Sequence, residues 1–146
     1  MEKFYSHGKL LITAEYAVLD GAKALALPTK LGQRLEVTNT NTKNINWKSF
    51  DCQKNLWFKT SLSIPHFKPS IANATAQRLS QCFQAIHELR PHLFENQKGL
   101  EFISHLEFPQ NWGLGSSSTL INNLAQWANV DAYKLLALTF GGSGYD

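Results

Sequence analysis

Short alternations of apolar and polar residues dominate the first half of the chain, and apolar stripes at helical spacing appear only after residue 70. Period-two alternation, or a short apolar run closed by turn residues, predicts β-strands. The predicted strands cover 9–13, 16–19, 31–40, 45–50, 56–64 and 101–108. The polar stretch 38–44 predicts a loop, so the two strands that follow it are expected to form a hairpin.

Three helices are predicted in the second half. Ser70 is a good N-cap for the first helix, whose apolar stripe ends before Pro91. The second helix follows a glycine-rich turn and carries its stripe through 120–127. Asp131 is expected to cap a third, short helix over 132–140. Strands first and helices interleaved later predict one α+β unit without internal repeats.

Composition narrows the class of protein. The 146 residues are 43% apolar and 17% charged, which suits one domain with a real core and not a disordered chain. No run approaches the roughly 20 apolar residues of a membrane span, and the first residues do not resemble a secretion signal. Cys52 and Cys82 form no pairing motif, so the expected compartment is the reducing cytoplasm.

Charge keeps one alternative open. The net charge is +3, but the first 70 residues hold ten lysines and arginines against five acids. With Trp47, Trp57 and Phe58, this basic half could form a small nucleic-acid-binding α+β module. The basic residues are scattered singly, which favours solvated strand faces, and strand aromatics favour the core. Cys82 is likewise expected in the core, and the five histidines show no metal-binding spacing.

The strongest local signal is the segment 109–119, Pro-Gln-Asn-Trp-Gly-Leu-Gly-Ser-Ser-Ser-Thr, between a predicted strand and a predicted helix. Glycines let the backbone approach a ligand, and the helix start offers free N–H groups and the positive end of its dipole. The serine hydroxyls suit phosphate oxygens and Mg²⁺. The segment lacks the Gly-Lys-Ser/Thr of a Walker loop, so on its own a helix-capping turn is an equal interpretation.

Three motifs together resemble the GHMP superfamily of galactose, homoserine, mevalonate and phosphomevalonate kinases. Gly113-Leu114-Gly115-Ser116-Ser117-Ser118, after a proline, resembles its phosphate-binding motif. The segment 8–21, Gly-Lys-Leu-Leu-Ile-Thr-Ala-Glu-Tyr-Ala-Val-Leu-Asp-Gly, is similar to its first motif, especially in phosphomevalonate kinases. The segment 142–146, Gly-Ser-Gly-Tyr-Asp, resembles the Ser-Gly-x-Asp turn that carries the family's catalytic aspartate. The motifs stand in the family's order, at roughly its distances.

The resemblance implies the fold and the activity. Residues 1–146 are expected to form the two-layer α+β N-terminal domain of these kinases, a ribosomal-protein-like fold, with the C-terminal domain missing. The implied protein is a cytoplasmic kinase that uses ATP and Mg²⁺ to phosphorylate a hydroxyl or phosphate of a small metabolite, in the mevalonate route to isoprenoids. Its partner is a small-molecule substrate, with neither nucleic acid nor membrane involved, and the fragment alone is expected to be inactive.

Roles for individual residues follow from the resemblance. Lys9 and Asp146 are the expected catalytic pair, in which the carboxylate accepts the proton of the substrate hydroxyl and the lysine neutralises charge on the transferred group. Glu15 and Tyr16 are expected to bind substrate. Ser117 is also the expected magnesium ligand. ATP phosphates are expected on Gly113, Leu114, Gly115, Ser116, Ser117 and Ser118.

Three positions depart from the family pattern, and two of them keep a further alternative open. Ala14 stands where the family has glycine before the glutamate, and Tyr16 stands where mevalonate kinases usually have histidine. Leu135 occupies the position where many members carry a magnesium-binding glutamate. Because of Ala14 and Leu135, a degraded kinase retained only for binding is the second alternative to an active enzyme.

Overall fold

The computed structural model describes residues 1–11, 26–95, 98–110 and 116–139. Within these ranges the chain forms one five-stranded sheet and three α-helices. The strands are β1 (Glu2–Leu11), β2 (Ala26–Asn39), β3 (Asn44–Phe50), β4 (Leu56–Ser63) and β5 (Leu100–Leu106). The helices are α1 (Ala74–Leu89), α2 (Ser116–Ala128) and α3 (Ala132–Thr139).

The sheet has the order β1-β2-β5-β3-β4. Neighbouring strands are antiparallel except β3 and β5, which are parallel. The last strand in sequence, β5, therefore lies in the middle of the sheet, with β2 and β3 on either side. In the chain, β5 is also the last strand before α2.

The helices cover one face of the sheet, and aromatic side chains fill the space between the two layers. The ring of Trp47 on β3 stacks on Phe102 of β5 with centroids 5.3 Å apart. Phe83 of α1 and Trp127 of α2 both meet Phe102 edge to face, at 5.2 and 5.0 Å. Burying one phenylalanine side chain stabilises a fold by about 1.5–3 kcal/mol, so this cluster is a major source of the domain's stability. The predicted two-layer α+β class is confirmed.

The cap of α1 differs from the prediction. Asn73 is the N-cap, and its Oδ1 accepts a hydrogen bond from the backbone N–H of Ala76 at 2.8 Å. Ser70, the predicted cap, instead accepts a bond from the backbone N–H of Ser61 in β4 at 3.1 Å. Serine and asparagine both cap helices well. Asn73 is the cap here because the Ser70 hydroxyl is bonded to the edge strand β4. The predicted cap of α3 is confirmed, because Asp131 Oδ1 accepts from the N–H of Tyr133 at 2.8 Å.

The strands are longer than their patterns predicted. β1 begins at Glu2 and not at Lys9, since it pairs antiparallel with β2 from Glu2 onward. β2 begins at Ala26 and not at Leu31. The predicted strand 16–19 lies outside the described residues. No helix within the described ranges has the length and apolarity needed to cross a membrane.

Candidate functional site

The first turn of α2 lies between two pockets. Its first residues, Ser116 and Ser117, line a larger pocket of about 320 Å³. The next residue, Ser118, lines a smaller pocket of about 160 Å³ together with Lys9. We call these the aromatic pocket and the lysine pocket. Helical geometry explains the division, because successive residues of a helix point in directions about 100° apart.

Aromatic rings of the hairpin β3–β4 form one side of the aromatic pocket. Trp47 and Phe58 are buried, whereas Trp57 is 44% exposed at the start of the edge strand. The rings of Trp57 and Phe58 lie 5.7 Å apart in a tilted arrangement. Such a surface, apolar and partly open, suits a flat aromatic ligand.

Polar groups lie deeper in the aromatic pocket and on its helical wall. Gln33, Ser49 and Ser104 contribute an amide and two hydroxyls from the sheet, and Arg78 of α1 contributes a guanidinium. Cys82 also lines the pocket, but burial raises the pKa of its thiol to about 12, against the weaker lowering effect of Arg78. The thiol is therefore protonated at neutral pH and is no nucleophile.

The lysine pocket lies between β1, α2 and α3. Lys9 of β1 is exposed, and Asn122 of α2 and Tyr133 of α3 add further polar groups. His7, on the same strand, has its Nδ1 2.8 Å from the carbonyl oxygen of Thr29. Since a carbonyl only accepts, Nδ1 carries a proton, and this bond fixes the imidazole ring. The Ser118 hydroxyl is out of contact with solvent and has no hydrogen-bond partner among the described residues.

The structure places four of the ten predicted site residues. Lys9 and Ser118 lie together at the lysine pocket, and Ser116 and Ser117 lie at the aromatic pocket on the other side of the same helical turn. Six predicted residues lie outside the described part of the chain. These are Glu15, Tyr16, Gly113, Leu114, Gly115 and Asp146. The pairing of Lys9 with Asp146 therefore stays a prediction.

Two of the three strand aromatics follow the prediction and one does not. Trp47 is 2% exposed and Phe58 7%, so both belong to the core as predicted. Trp57 was also expected in the core, and this prediction is wrong. Successive side chains of β4 point to opposite sides of the strand, so Trp57 does not share the buried side with Phe58. Cys82 is fully buried, as predicted.

Sequence reasoning missed Gln33 and Ser104 as lining residues. Both occupy the inward phase of their strands, where apolar residues such as Leu35 and Phe102 are also found. The sequence did contain a signal for them, because each is a polar residue at a strand position where the alternation predicts an apolar one. Neither residue belongs to the motifs that drew attention to the site.

The described residues contain no group of three or more histidine, cysteine, aspartate or glutamate side chains that could hold a metal ion. Among the described residues, no acid lines the aromatic pocket. Ser117 can offer a single hydroxyl oxygen, which fits a magnesium ion only when most of its other ligands come from a nucleotide and water.

No protein-family model matches the chain, and no curated protein matches it by sequence. Solved kinase structures match its fold. Mevalonate kinase from Methanococcus jannaschii aligns with 96% of this chain and 47% of its own, at 18% identity and a TM-score of 0.66. Phosphomevalonate kinase from Streptococcus pneumoniae, in complex with phosphomevalonate and AMPPNP, aligns with 94% of this chain and 41% of its own, at 16% identity and a TM-score of 0.61.

A galactokinase from Lactococcus lactis, complexed with galactose, aligns with 94% of this chain and 36% of its own, at 18% identity and a TM-score of 0.62. The chain spans about half the length of the mevalonate kinases that it matches. The resemblance drawn from three short motifs is thus confirmed at the level of architecture. The chain has the two-layer α+β fold of the N-terminal domain of GHMP kinases.

Proposed function

We propose that residues 1–146 are the N-terminal, nucleotide-binding domain of a longer kinase that uses ATP and Mg²⁺ to phosphorylate a hydroxyl or phosphate of a small metabolite of the mevalonate or phosphomevalonate type. One observation carries the proposal. The first turn of α2 separates an aromatic pocket from a pocket that contains Lys9, with serine side chains on both sides. A phosphoryl donor and its acceptor need two adjoining sites of this kind.

The adenine base of ATP belongs in the aromatic pocket. Trp57 offers an exposed ring at its mouth, and Phe50 adds a second partly exposed ring. Stacking of a base on an aromatic side chain stabilises binding by about 1–3 kcal/mol. The Ser104 hydroxyl, which accepts from Gln33, can then donate to the polar edge of the base or to the ribose.

The phosphates of ATP belong at the first turn of α2. The free N–H groups and the positive end of the helix dipole attract anions, and Ser116 and Ser117 add hydroxyl donors. The nucleotide analogue in the solved phosphomevalonate kinase supports ATP as the donor, since that protein shares this fold. Magnesium would neutralise phosphate charge, with Ser117 as the one ligand from the described residues.

The acceptor substrate belongs in the lysine pocket, whose volume of about 160 Å³ suits a small metabolite. Asn122 and Tyr133 can hydrogen-bond its hydroxyls. Lys9 supplies a positive charge next to the proposed phosphate-binding turn, where negative charge develops during transfer. The small-molecule ligands of the solved relatives, phosphomevalonate and galactose, support this class of acceptor.

The proposal is tested by titrating the longest polypeptide that the gene encodes with a fluorescent ATP analogue, with and without Mg²⁺. We expect saturable binding that weakens when EDTA removes the metal, and that weakens further in Ser117→Ala. The matched control is Ser63→Ala, which removes an exposed hydroxyl at the end of β4, away from both pockets.

A second titration with single-stranded oligonucleotides at rising salt tests the alternative class of function. Binding of oligonucleotide in preference to MgATP, with a steep loss as salt rises, would replace the kinase with a nucleic-acid-binding module. Turnover is then assayed with mevalonate, phosphomevalonate, homoserine and galactose. Binding of MgATP without turnover of any of these acceptors would favour a degraded kinase or a different acceptor class.

A further inference from the structure

Five buried polar side chains connect the sheet to α2 beneath the two pockets. Each is 7% exposed or less, in a layer that is otherwise filled by apolar residues. We call them the buried polar network. Its members are Ser6 on β1, Gln33 on β2, Ser104 on β5, and Thr119 and Asn123 on α2.

Gln33 is the centre of this network. Its Nε2 donates to the Ser104 hydroxyl at 2.9 Å, and its Oε1 accepts from the Thr119 hydroxyl at 2.8 Å. Its backbone carbonyl accepts a further bond from Asn123 Nδ2 at 2.9 Å. One residue of β2 thus holds two positions of α2, four residues apart, which lie on the same face of the helix.

The other end of the network reaches the lysine pocket. The Ser6 hydroxyl donates to Asn123 Oδ1 at 2.6 Å and accepts from Asn122 Nδ2 at 2.8 Å. Ser6 and Asn122 line the lysine pocket, while Gln33 and Ser104 line the aromatic pocket. A continuous path of hydrogen bonds therefore runs from one pocket to the other under the start of α2.

Thr119 links this path to the first turn of the helix. Its hydroxyl has one proton and two acceptors within reach, the Gln33 side-chain oxygen and the carbonyl of Ser116 at 2.9 Å. A change at Gln33 therefore alters the bonding of Ser116, the residue with which α2 begins.

Apolar contacts alone would hold α2 on the sheet, as Leu35 and Leu124 in the same layer illustrate. Apolar contacts tolerate small rotations and shifts of a helix, whereas hydrogen bonds have narrow ranges of distance and angle. A buried polar group without its partner costs about 1–3 kcal/mol, so the network permits one placement of α2 and penalises others.

We propose that Gln33 is a positioning residue, which fixes the first turn of α2 at the height and rotation that place Ser116 and Ser117 at one pocket and Ser118 at the other. The inference rests on the proposed function only for the identity of the ligand, a nucleoside triphosphate. The positioning itself is a property of the free protein.

The first test measures the free protein by amide hydrogen exchange. Gln33→Met keeps the length of the side chain and removes its hydrogen bonds, and Thr119→Val removes one hydroxyl with little change of shape. We expect both variants to lower the protection of the Leu120 amide, whose helical acceptor is the Ser116 carbonyl, by about three- to tenfold relative to the α1 amides, as the loss of one net hydrogen bond implies.

Ser80→Ala is the matched control. Its hydroxyl is equally buried and donates to the Phe67 carbonyl at 2.6 Å, but it belongs to α1 and lines neither pocket. It should lower the stability of the fold without a selective loss at Leu120. Protection at Leu120 that falls no further in Gln33→Met than in Ser80→Ala would overturn the inference.

The second test measures affinity for a fluorescent ATP analogue in the longest polypeptide that the gene encodes. Gln33→Met and Thr119→Val should each weaken binding by about three- to tenfold. The double variant should bind no more weakly than whichever single variant has the lower affinity. Thr119 lines the lysine pocket and not the aromatic pocket, so its effect on ATP affinity does not come from contact with the base. Fully additive losses, or normal affinity in Thr119→Val, would contradict positioning. Absence of binding in the wild type would refute the proposed function and leave the exchange experiment decisive for Gln33.

Discussion

Gly32 shows how one residue without a side chain sets the geometry of the sheet. A Cβ at this position would lie 2.2 Å from the carbonyl oxygen of Ser6 and 2.9 Å from the ring of Tyr5. We expect Gly32→Ala to lower the free energy of unfolding by about 1–3 kcal/mol, as overpacking against backbone does. Urea unfolding measures this loss. Lys30→Ala, at an exposed position two residues away, should change it by less than about 0.5 kcal/mol.

Tyr5, which lies beside Gly32, makes the stability of the fold depend on pH. Its hydroxyl has one proton and two acceptors within reach, the Glu107 carboxylate and the Lys30 carbonyl. Burial, the hydrogen bond to Glu107 and the charge of Glu107 together raise the pKa of Tyr5 to about 12. Because the folded protein favours the neutral phenol, its stabilising effect is complete below the unfolded pKa of about 10 and is lost as pH rises from there to 12.

The measurement is a titration of tyrosinate absorbance, followed by urea unfolding at increasing alkaline pH. The wild type should lose stability between about pH 10 and 12 more steeply than Tyr5→Phe. Tyr133→Phe, which removes a tyrosine that is 70% exposed, is the control and should keep the wild-type slope. Equal slopes in the wild type and in Tyr5→Phe would contradict the assignment.

For individual residues, the sequence predicts burial better than it predicts contacts. The apolar phase of the strands and helices correctly placed Trp47, Phe58 and Cys82 in the core. The partners of Gln33 could not be predicted, because its bonds join residues 71 and 86 positions away in the chain. Those distances are fixed only once β2, β5 and α2 have packed together.

Among the elements, the hairpin β3–β4 carries the most direct functional prediction. Trp57 lies at the mouth of the aromatic pocket, where we place a nucleotide base. Trp57→Ala should weaken binding of ATP by about fivefold or more, since stacking on an aromatic side chain is worth about 1–3 kcal/mol per base. Trp57→Phe should restore most of the affinity.

Leu56→Ala is the control for this prediction, because Leu56 is 49% exposed beside Trp57 and does not line the pocket. Binding of ATP is followed by fluorescence of a labelled analogue, so that the loss of a tryptophan does not disturb the signal. Wild-type affinity in Trp57→Ala would move the base away from this pocket.

Element boundaries show where local sequence loses its power to predict. Ser70 and Asn73 are both good N-caps, and α1 uses Asn73 because the backbone of β4 bonds the Ser70 hydroxyl. β1 begins seven residues before the predicted start at Lys9, since pairing with β2 and not side-chain pattern defines the strand. The order and type of the described elements followed from periodicity, whereas their ends depended on partners distant in sequence.

For the whole molecule, short motifs carried more information than overall similarity. At 14–18% identity to the solved kinases, general sequence likeness is weak, yet the segments around Lys9 and Ser116–Ser118 pointed to the fold that the structure has. Such motifs are recognisable because few residue types suit a tight turn that leads into a helix start. The sequence could not reveal that Ser117 and Ser118 face different pockets, since that depends on how α2 is rotated on the sheet.

The last prediction concerns the proposed catalytic pair, Lys9 of β1 and Asp146, of which Asp146 lies outside the described residues. If Asp146 accepts the proton of the substrate hydroxyl, Asp146→Asn in the longest encoded polypeptide should lower kcat by about 10²–10⁴ with little change in the affinity for ATP, because asparagine keeps the shape but is no base. Lys9→Met should also lower kcat, with a modest rise in the KM for ATP.

The control for Asp146→Asn makes the same chemical change elsewhere. Asp131→Asn alters the N-cap of α3, where asparagine caps as well as aspartate, so kcat should stay at the wild-type value. Steady-state kinetics on whichever acceptor the protein phosphorylates measure all three variants. Wild-type kcat in Asp146→Asn would leave phosphoryl transfer to electrostatic stabilisation by Lys9, the first turn of α2 and the metal, without a protein base.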